Sequence, residues 1–231
     1  MPPSRVAVIG AMPIEFGPLL GKLKPQRRNG VELFELTNAV VAIGGIGGRF
    51  ARRAAEVAIE HAQPKLLLSA GLAGALSPKL AVGDVGTIRE VVDVSTGARY
   101  SSDIGGDWVL ATSQDVSDAA EKRGYLVKYG ADVVDMEAAA VAQVAAERGL
   151  EFGSIKAISD DAAFAMPPLN RFIDSNGRFA TRKFLLYVAL RPRWWSTVGQ
   201  IRSNSMIATA NLCHELEHLI EQYGRAEIPA D

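Results

Sequence analysis

Residues 131–162, ADVVDMEAAAVAQVAAERGLEFGSIKAISDDA, read as strand, helix, strand. A short apolar run closes on Val133-Val134-Asp135-Met136-Glu137. The helix that follows is rich in alanine, and Arg148-Gly149 ends it with a basic last turn and a terminal glycine. A second apolar run then delivers Ser159-Asp160-Asp161. Glu137 and Asp160 are therefore expected at the C-terminal ends of two strands joined by one helix. In an open α/β sheet that edge is where ligands bind.

Upstream, Arg5–Ile9 reads as a buried strand, turned by Gly10-Ala11-Met12 into a helix opened by Pro13. Glu15 falls in the first turn, where an acid equally serves the helix dipole. Val31–Leu36 and Ala39–Ile43 form a hairpin through Thr37-Asn38. Gly44-Gly45-Ile46-Gly47-Gly48 then leads into an alanine-rich helix carrying Arg49, Arg52 and Arg53, read as pointing outward. Such a turn can cradle an anion on bare N–H groups. Its spacing matches neither GxGxxG nor GxxxxGK[ST], so close backbone approach, for packing or for a ligand, is the reading kept. Lys65–Leu68 is a strand ending in the small residues Ser69–Gly74, which leave room for something bulky. Val82–Val85 turns into a further strand, Gly97–Asp107 reads as a loop, Trp108–Thr112 as a strand and Val116–Arg123 as a short helix.

Beyond Ser159 the pattern changes. Pro167-Pro168 breaks the chain, Asp174–Gly177 is a turn, and Thr181–Leu190 is a helix stopped before Pro192. Trp194-Trp195 and a long amphipathic helix to Tyr223 follow, and Ala226–Asp231 reads as a frayed tail. His214-Glu215-Leu216-Glu217-His218 matches the zinc-protease pattern HExxH. At about 100° per residue, however, Met206, Ala210, Cys213, Leu216, Ile220 and Tyr223 make one apolar stripe, and both histidines fall off it. The thirteen residues after His218 are too few for another helix with a third ligand. No metal site and no cofactor are assigned.

The whole chain has 231 residues, 48% hydrophobic and 22% charged, enough to bury a full core as one domain over 1–231, with a helical extension from about 167. A formal net charge of −1 gives no electrostatic case for nucleic acid. The lone Cys213 excludes an internal disulfide and suits a reducing cytosol. With no signal-peptide pattern and no apolar run near the ~20 residues of a spanning helix, a cytoplasmic protein is expected.

Five pieces, VAVIGAMPIEF, GGIGG, SAGLAGALSPKLAVGDV, VVDMEAAAVA and AISDDA, occur in an order that resembles the purine and uridine phosphorylase superfamily, specifically its nucleosidase branch. The nearest resemblance is to methylthioadenosine/S-adenosylhomocysteine nucleosidases and to hopanoid-associated nucleosidase-like proteins. It implies a three-layer α/β/α fold with a mixed, twisted sheet. It also implies hydrolysis of a purine (adenine) N-glycosidic bond by a homo-oligomer. Matched residue by residue, Asp160 protonates N7 of the leaving base, Glu137 holds the ribose hydroxyls beside the Met136 backbone, and Glu15 activates water on the opposite face. The same matching implies substrate contacts at Met12, Ile46, Ala73, Gly74, Val116 and Ser159. Asp135 and Asp161 are read as support or surface.

The chemistry suits those residue types. A purine leaves with its electron pair while the ribose becomes cationic, so an acid at the base and carboxylates at the sugar are what the transition state needs. Acid and base on opposite sides of the ring follow the inverting-glycosidase logic. Phosphorylases of the superfamily bind phosphate with an arginine and a serine in the segment reading Ser69–Gly74 here, which carries no positive charge, so water is the favoured acceptor. A phosphorylase and a non-catalytic nucleoside-binding protein are the alternatives. The chain departs from the methylthioadenosine enzymes at Leu72, where they have serine, and near Val116, where they stack a phenylalanine on the base. The connection from Asp84 to Asp135 is also shorter. These departures point to another substrate, with a large apolar 5′ group such as that of adenosylhopane. The tail residues Phe172, Phe179, Phe184, Leu185, Leu186, Tyr187, Val188, Leu190, Trp194 and Trp195 read either as a helical cap or subunit interface, or as a greasy mouth for that group. Arg191 and Arg193 beside the tryptophans suit transient contact with the inner-membrane surface.

Overall fold

The computed structural model describes residues 6–164 and 169–225. Arg5, Pro167-Pro168 and Ala226–Asp231 lie outside the described residues, as do the side chains of Arg193, Gly224 and Arg225. β1 (Val6–Gly10) ends at a 3₁₀ turn, Pro13–Phe16, and the short α1 (Gly17–Leu20). β2 (Gln26–Arg28), β3 (Val31–Glu35) and β4 (Ala39–Ile43) form an antiparallel meander that includes the expected hairpin. Then come α2 (Gly48–Ala62), β5 (Leu66–Ala75), β6 (Val85–Asp93), β7 (Arg99–Ser101) and β8 (Trp108–Thr112). α3 (Ala119–Tyr129), β9 (Val133–Asp135), α4 (Ala138–Arg148) and β10 (Glu151–Asp160) complete the sheet region. α5 (Thr181–Ala189) and α6 (Trp195–Arg225) make the helical tail.

The strands form a mixed sheet in the order β10-β6-β8-β9-β5-β1-β4-β3-β2, with β7 on β6. β10 pairs in parallel with β5 and antiparallel with β6, so β5, β9, β8, β6 and β10 close into a ring. The open sheet expected from the strand–helix–strand pattern is thus open only on the side of β1 to β2. β9 runs antiparallel to β5, so Glu137 and Asp160 do not share one parallel edge. Closure needs the long β5, which takes in the small residues Ser69–Gly74 that the sequence placed after a shorter strand. A Cβ at Gly74 would lie 2.9 Å from a side-chain oxygen of Asp160, so glycine leaves the room that this carboxylate occupies against β5.

Helices cover both faces. α2 and α4 meet through alanines, Ala51, Ala54, Ala55 and Ala58 against Ala138, Ala142 and Ala145, and bury the face that carries Leu67 and Ile158. On the other face α1 and α6 cover Leu66, Leu68, Ala70 and Ile155, while α3 lies over Leu76, Val109 and Val134.

Three further expectations shift. The segment read as loop between Gly97 and Asp107 contains β7, paired with β6. α3 starts later than Val116, because Asp118 accepts from the N–H groups of Ala120 and Glu121 while Glu121 returns a bond to the Asp118 N–H, a capping box. It runs through Gly124 to end at Gly130, whose φ of 64° closes the helix. On α6 Cys213, Leu216 and Ile220 of the expected stripe are buried, joined by Ala208, Leu212 and Leu219, while Ala210 is exposed and Met206 is 64% exposed. His214 and His218 lie on the exposed side.

Two glycines test this account. A Cβ at Gly44 would lie 2.4 Å from the Phe50 carbonyl, so Gly44→Ala should cost about 1–3 kcal/mol by forcing the first turn of α2 away. Gly124 has open space and no left-handed backbone, so Gly124→Ala should add about 0.5–1 kcal/mol. Urea midpoints measure both, and equal effects at the two sites would contradict the packing described.

Candidate active site

Glu15 is set by β1 and the proline-opened turn. Its Oε2 accepts from the Met12 N–H at 2.9 Å, and its Oε1 from the Leu72 N–H at 3.3 Å. The residue is 5% exposed, so it is not the solvated first-turn acid that helix-dipole chemistry alone would explain. Burial pushes its pKa up, opposed by those two N–H groups and by the charge of Lys156. Gly71 leaves the space beneath it, where a Cβ would lie 3.3 Å from Oε1.

Glu137 stands at the N-cap of α4 but does not cap it. Its carboxylate instead crosses to the glycine turn, where Oε1 accepts from the Gly47 N–H at 2.7 Å. Asp135 holds the helix end in its place, accepting from the Ala138 N–H at 2.9 Å and from Thr112 Oγ1 at 2.7 Å. Glu137 is pushed up to about 7, first by burial and then by the neighbouring charge of Asp135, with Lys156 and the Gly47 N–H opposing. The charge of Glu15 adds to the rise, so the two glutamates share one electrostatic site.

At its centre is a residue that the sequence reading passed over. Lys156 is 1% exposed, and its Nζ meets Asp135 Oδ2 at 2.8 Å and Ser69 Oγ at 3.2 Å. A positive charge does therefore face the Ser69 segment, supplied by β10, which the segment's own sequence could not reveal. Asp135, Glu15 and Glu137 already outnumber it.

Asp160 belongs to a second polar cluster. Lys156 and Ile158 share the face turned toward Ser69 and Ala73, and a regular strand would put Asp160 there too. A register shift between Ile158 and Asp160 leaves Ser159 as an extra residue and turns Asp160 to the α3 side. There Oδ2 meets Lys122 Nζ at 2.5 Å, with the two side chains 5% and 3% exposed. Ser159 Oγ donates to Oδ1 at 2.7 Å, with the Ala73 carbonyl 3.3 Å away. Gly74 lies against the same pair.

A cavity of about 350 Å³ adjoins Glu137 and is lined by Ile46, Gly47, Gly48, Arg49, Phe50, Gln114, Asp115, Met136, Asn170 and Ile173. Of the residues matched by resemblance, Ile46 and Met136 line it. Met12 serves Glu15 through its backbone, and Val116 donates its N–H to Asn170 Oδ1 at 3.0 Å. Glu15 and Asp160 do not line the cavity. They sit against β5 at Gly71–Leu72 and at Gly74, roughly 10 Å apart at a strand's ordinary rise. Of the three arginines read as outward, Arg52 forks onto Glu147 and Arg49 is exposed. Arg53 instead turns in to donate to the Gly44 carbonyl at 3.2 Å.

The tail completes the rim. The Ile46 N–H donates to the Gly177 carbonyl at 2.8 Å, and Asn170 and Ile173 close over the cavity. Most of the apolar tail set packs on itself: Phe172, Phe179, Phe184, Tyr187, Val188 and Trp194 form one cluster. Leu185, Leu186, Leu190 and Trp195 remain exposed.

The chain matches the model of the phosphorylase superfamily over residues 5–107 and 87–189. Among solved structures it is similar to the apo 5′-methylthioadenosine nucleosidase of Arabidopsis thaliana, with a TM-score of 0.74, 17% identity and 98% of each chain covered. The futalosine hydrolase of Helicobacter pylori gives 0.69 and 17%, covering 94% of this chain and 97% of that one. The 5′-methylthioadenosine/S-adenosylhomocysteine nucleosidase of Neisseria meningitidis, in complex with methylthio-immucillin-A, gives 0.70 and 22%, covering 95% and 99%. At these identities the likeness shows a shared fold.

The raised Glu137 makes a stability prediction. Below its ordinary value of 4.5 the group is protonated whether the chain is folded or not. As pH rises from there to about 7 the unfolded chain releases a proton that the folded one keeps, so stability falls, then levels off. Glu137 keeps some solvent access, which moderates the penalty to about 1–3 kcal/mol. Glu137→Gln should thus match wild type near pH 4.5 and exceed it by that amount at pH 8, in urea unfolding. A difference that does not vary with pH would contradict the burial argument.

Proposed function

The chain belongs to the phosphorylase superfamily, and from that premise we propose that it is a nucleosidase that hydrolyses the N-glycosidic bond of a purine nucleoside, adenine being the base. The observation that carries the choice of water over phosphate is the charge around Lys156. Its ammonium is shared among Asp135, Glu15 and Glu137, so it has no charge to spare for a phosphate dianion, and Arg49 on the cavity lining is exposed rather than buried with the carboxylates. In this reading Glu15, buried and proton-seeking, takes the proton of the attacking water. Glu137, fixed to the glycine turn, accepts from the ribose hydroxyls and stabilises the cationic sugar. Asp160 serves the base.

The 5′ group extends past Met136 and Ile46 into the cavity, where Phe50 and Ile173 add apolar surface. We assign it a large apolar substituent, as in adenosylhopane. This rests on the resemblance to the hopanoid-associated proteins and on the departures at Leu72 and Val116. The exposed Leu185, Leu186, Leu190 and Trp195 supply a surface for transient membrane contact or for a second copy of the chain. Among the described residues no helix is long and apolar enough to cross a membrane.

Asp160→Asn should lower kcat on a purine nucleoside by ~10²–10⁴-fold with the fold intact. Wild type should release free ribose product in phosphate-free buffer. Ribose 1-phosphate rising with phosphate concentration would establish a phosphorylase instead, and tight binding without release of base would establish a binding protein. For the 5′ group, Ile46→Ala with Ile173→Ala should raise KM for a long-chain 5′-alkyl adenosine far more than for adenosine. Equal changes on both would remove the apolar assignment.

A further inference from the structure

Lys122 is the one fully buried residue of α3, a helix whose apolar contacts with the sheet come from the half-buried Tyr125, Leu126 and Tyr129. Its ammonium meets Asp160 Oδ2 at 2.5 Å and the Asp161 carbonyl at 2.9 Å. Burying an ion pair merely to fasten a helix is thermodynamically poor, since apolar residues of like volume hold at least as well. β5 is also shaped around the pair: a Cβ at Gly74 would lie 2.9 Å from Oδ2 and 3.2 Å from Nζ. With Ser159 donating to Oδ1, both oxygens of Asp160 have a partner before a base arrives. Of the two side-chain donors to Asp160, an ammonium is by nature far more acidic than a serine hydroxyl, so it is the one able to hand over a proton.

Resting on the nucleosidase reading above, we propose that Lys122 is a positioning residue that acts through Asp160, holding Oδ2 at the end of β10 and supplying the proton that Asp160 passes to purine N7. The ammonium proton moves to Oδ2 and leaves a neutral amine. Asp160, now a carboxylic acid, gives that proton to N7 as the C1′–N9 bond breaks and its electron pair enters the purine. The pair passes from zero net charge to minus one, which balances the proton gained by the base. Water adds to C1′ and gives its own proton to Glu15. Glu15 then releases that proton and Lys122 regains one from solvent, so the protein is unchanged over the cycle.

The test uses leaving groups with different need of a proton. Lys122→Arg keeps a positive charge on a group that does not give up its proton, and Lys122→Met removes both charge and proton. Each is assayed beside wild type on purine nucleosides (adenosine, inosine and 5′-alkyl adenosines) and on p-nitrophenyl β-D-ribofuranoside, whose phenolate leaves unprotonated. Both variants should lose ~10²-fold or more in kcat on the purine nucleosides and less than about tenfold on the nitrophenyl riboside. The ratio of the two activities does not depend on how much of a variant folds. Equal losses on both substrates would make Lys122 a fastening and overturn the proposal. Full purine turnover by Lys122→Arg would also overturn it, since charge without a mobile proton would then suffice. Wild type inactive on every substrate would instead remove the nucleosidase reading itself, and this proposal with it.

Discussion

One ammonium among three carboxylates is the constraint on which the site and much of the barrel depend. Lys156 sits in the middle of β10, 1% exposed, bonded to Asp135 and within the field of Glu15 and Glu137. Asp135 comes from β9, Glu137 from the start of α4 and Glu15 from the turn after β1, so a single side chain ties three separate segments to one strand. Leaving any of these charges buried without its partner would cost ~3–5 kcal/mol, a large part of the stability of an ordinary domain. Closing β10 onto β5 is what brings Lys156 to them. The glycines at 71 and 74 matter for the same reason, because they let charged side chains lie directly on the strand.

The order of strands and helices was largely legible in the sequence, because buried strands, alanine-rich helices and glycine turns each leave a local pattern. Ring closure was not, since the pairing of β10 with β5 joins residues far apart and neither strand's sequence names its partner. The extent of α3 differs at both ends from the expected Val116–Arg123, although the Asp118–Glu121 capping box and Gly130 carry the right signal. The α6 stripe is right at Cys213, Leu216 and Ile220, but toward the N-terminus the buried line passes through Ala208 and Leu212 instead of Met206 and Ala210, and only the packed neighbours decide which. Carboxylates were found because motifs surround them. Lys122 and Lys156 were passed over because an isolated lysine ordinarily means solvent. The available hint was Lys156 itself, a charge at an inward strand position between Ile155 and Ala157.

Tertiary context also changes what the tail means. Ten apolar residues in sequence suggest a continuous greasy surface, but six of them turn toward one another in an edge-to-face aromatic cluster, with Phe172 and Phe184 rings 5.3 Å apart. The tail is thus a small knot with its own core. It meets the cavity region through Gly177 on Ile46 and Asn170 on Val116, two hydrogen bonds of about 1 kcal/mol each. The rim of the cavity is therefore set by residues whose placement depends on folding at both ends of the chain.

The two buried lysines divide the site into halves of opposite character. Lys156 is outnumbered, so Glu15 and Glu137 are both pushed toward holding protons, and a cation arriving between them would relieve the surplus negative charge. An added anion would meet the opposite, a surplus of like charge. Lys122 has one carboxylate to itself, and the extra residue at Ser159 is what turns Asp160 away from the crowded half and toward it. Without that bulge, all four carboxylates would face the same ammonium. Pushing like groups into unlike surroundings is how one fold runs both kinds of proton chemistry at a single pH. Here one inserted residue in β10 performs that separation.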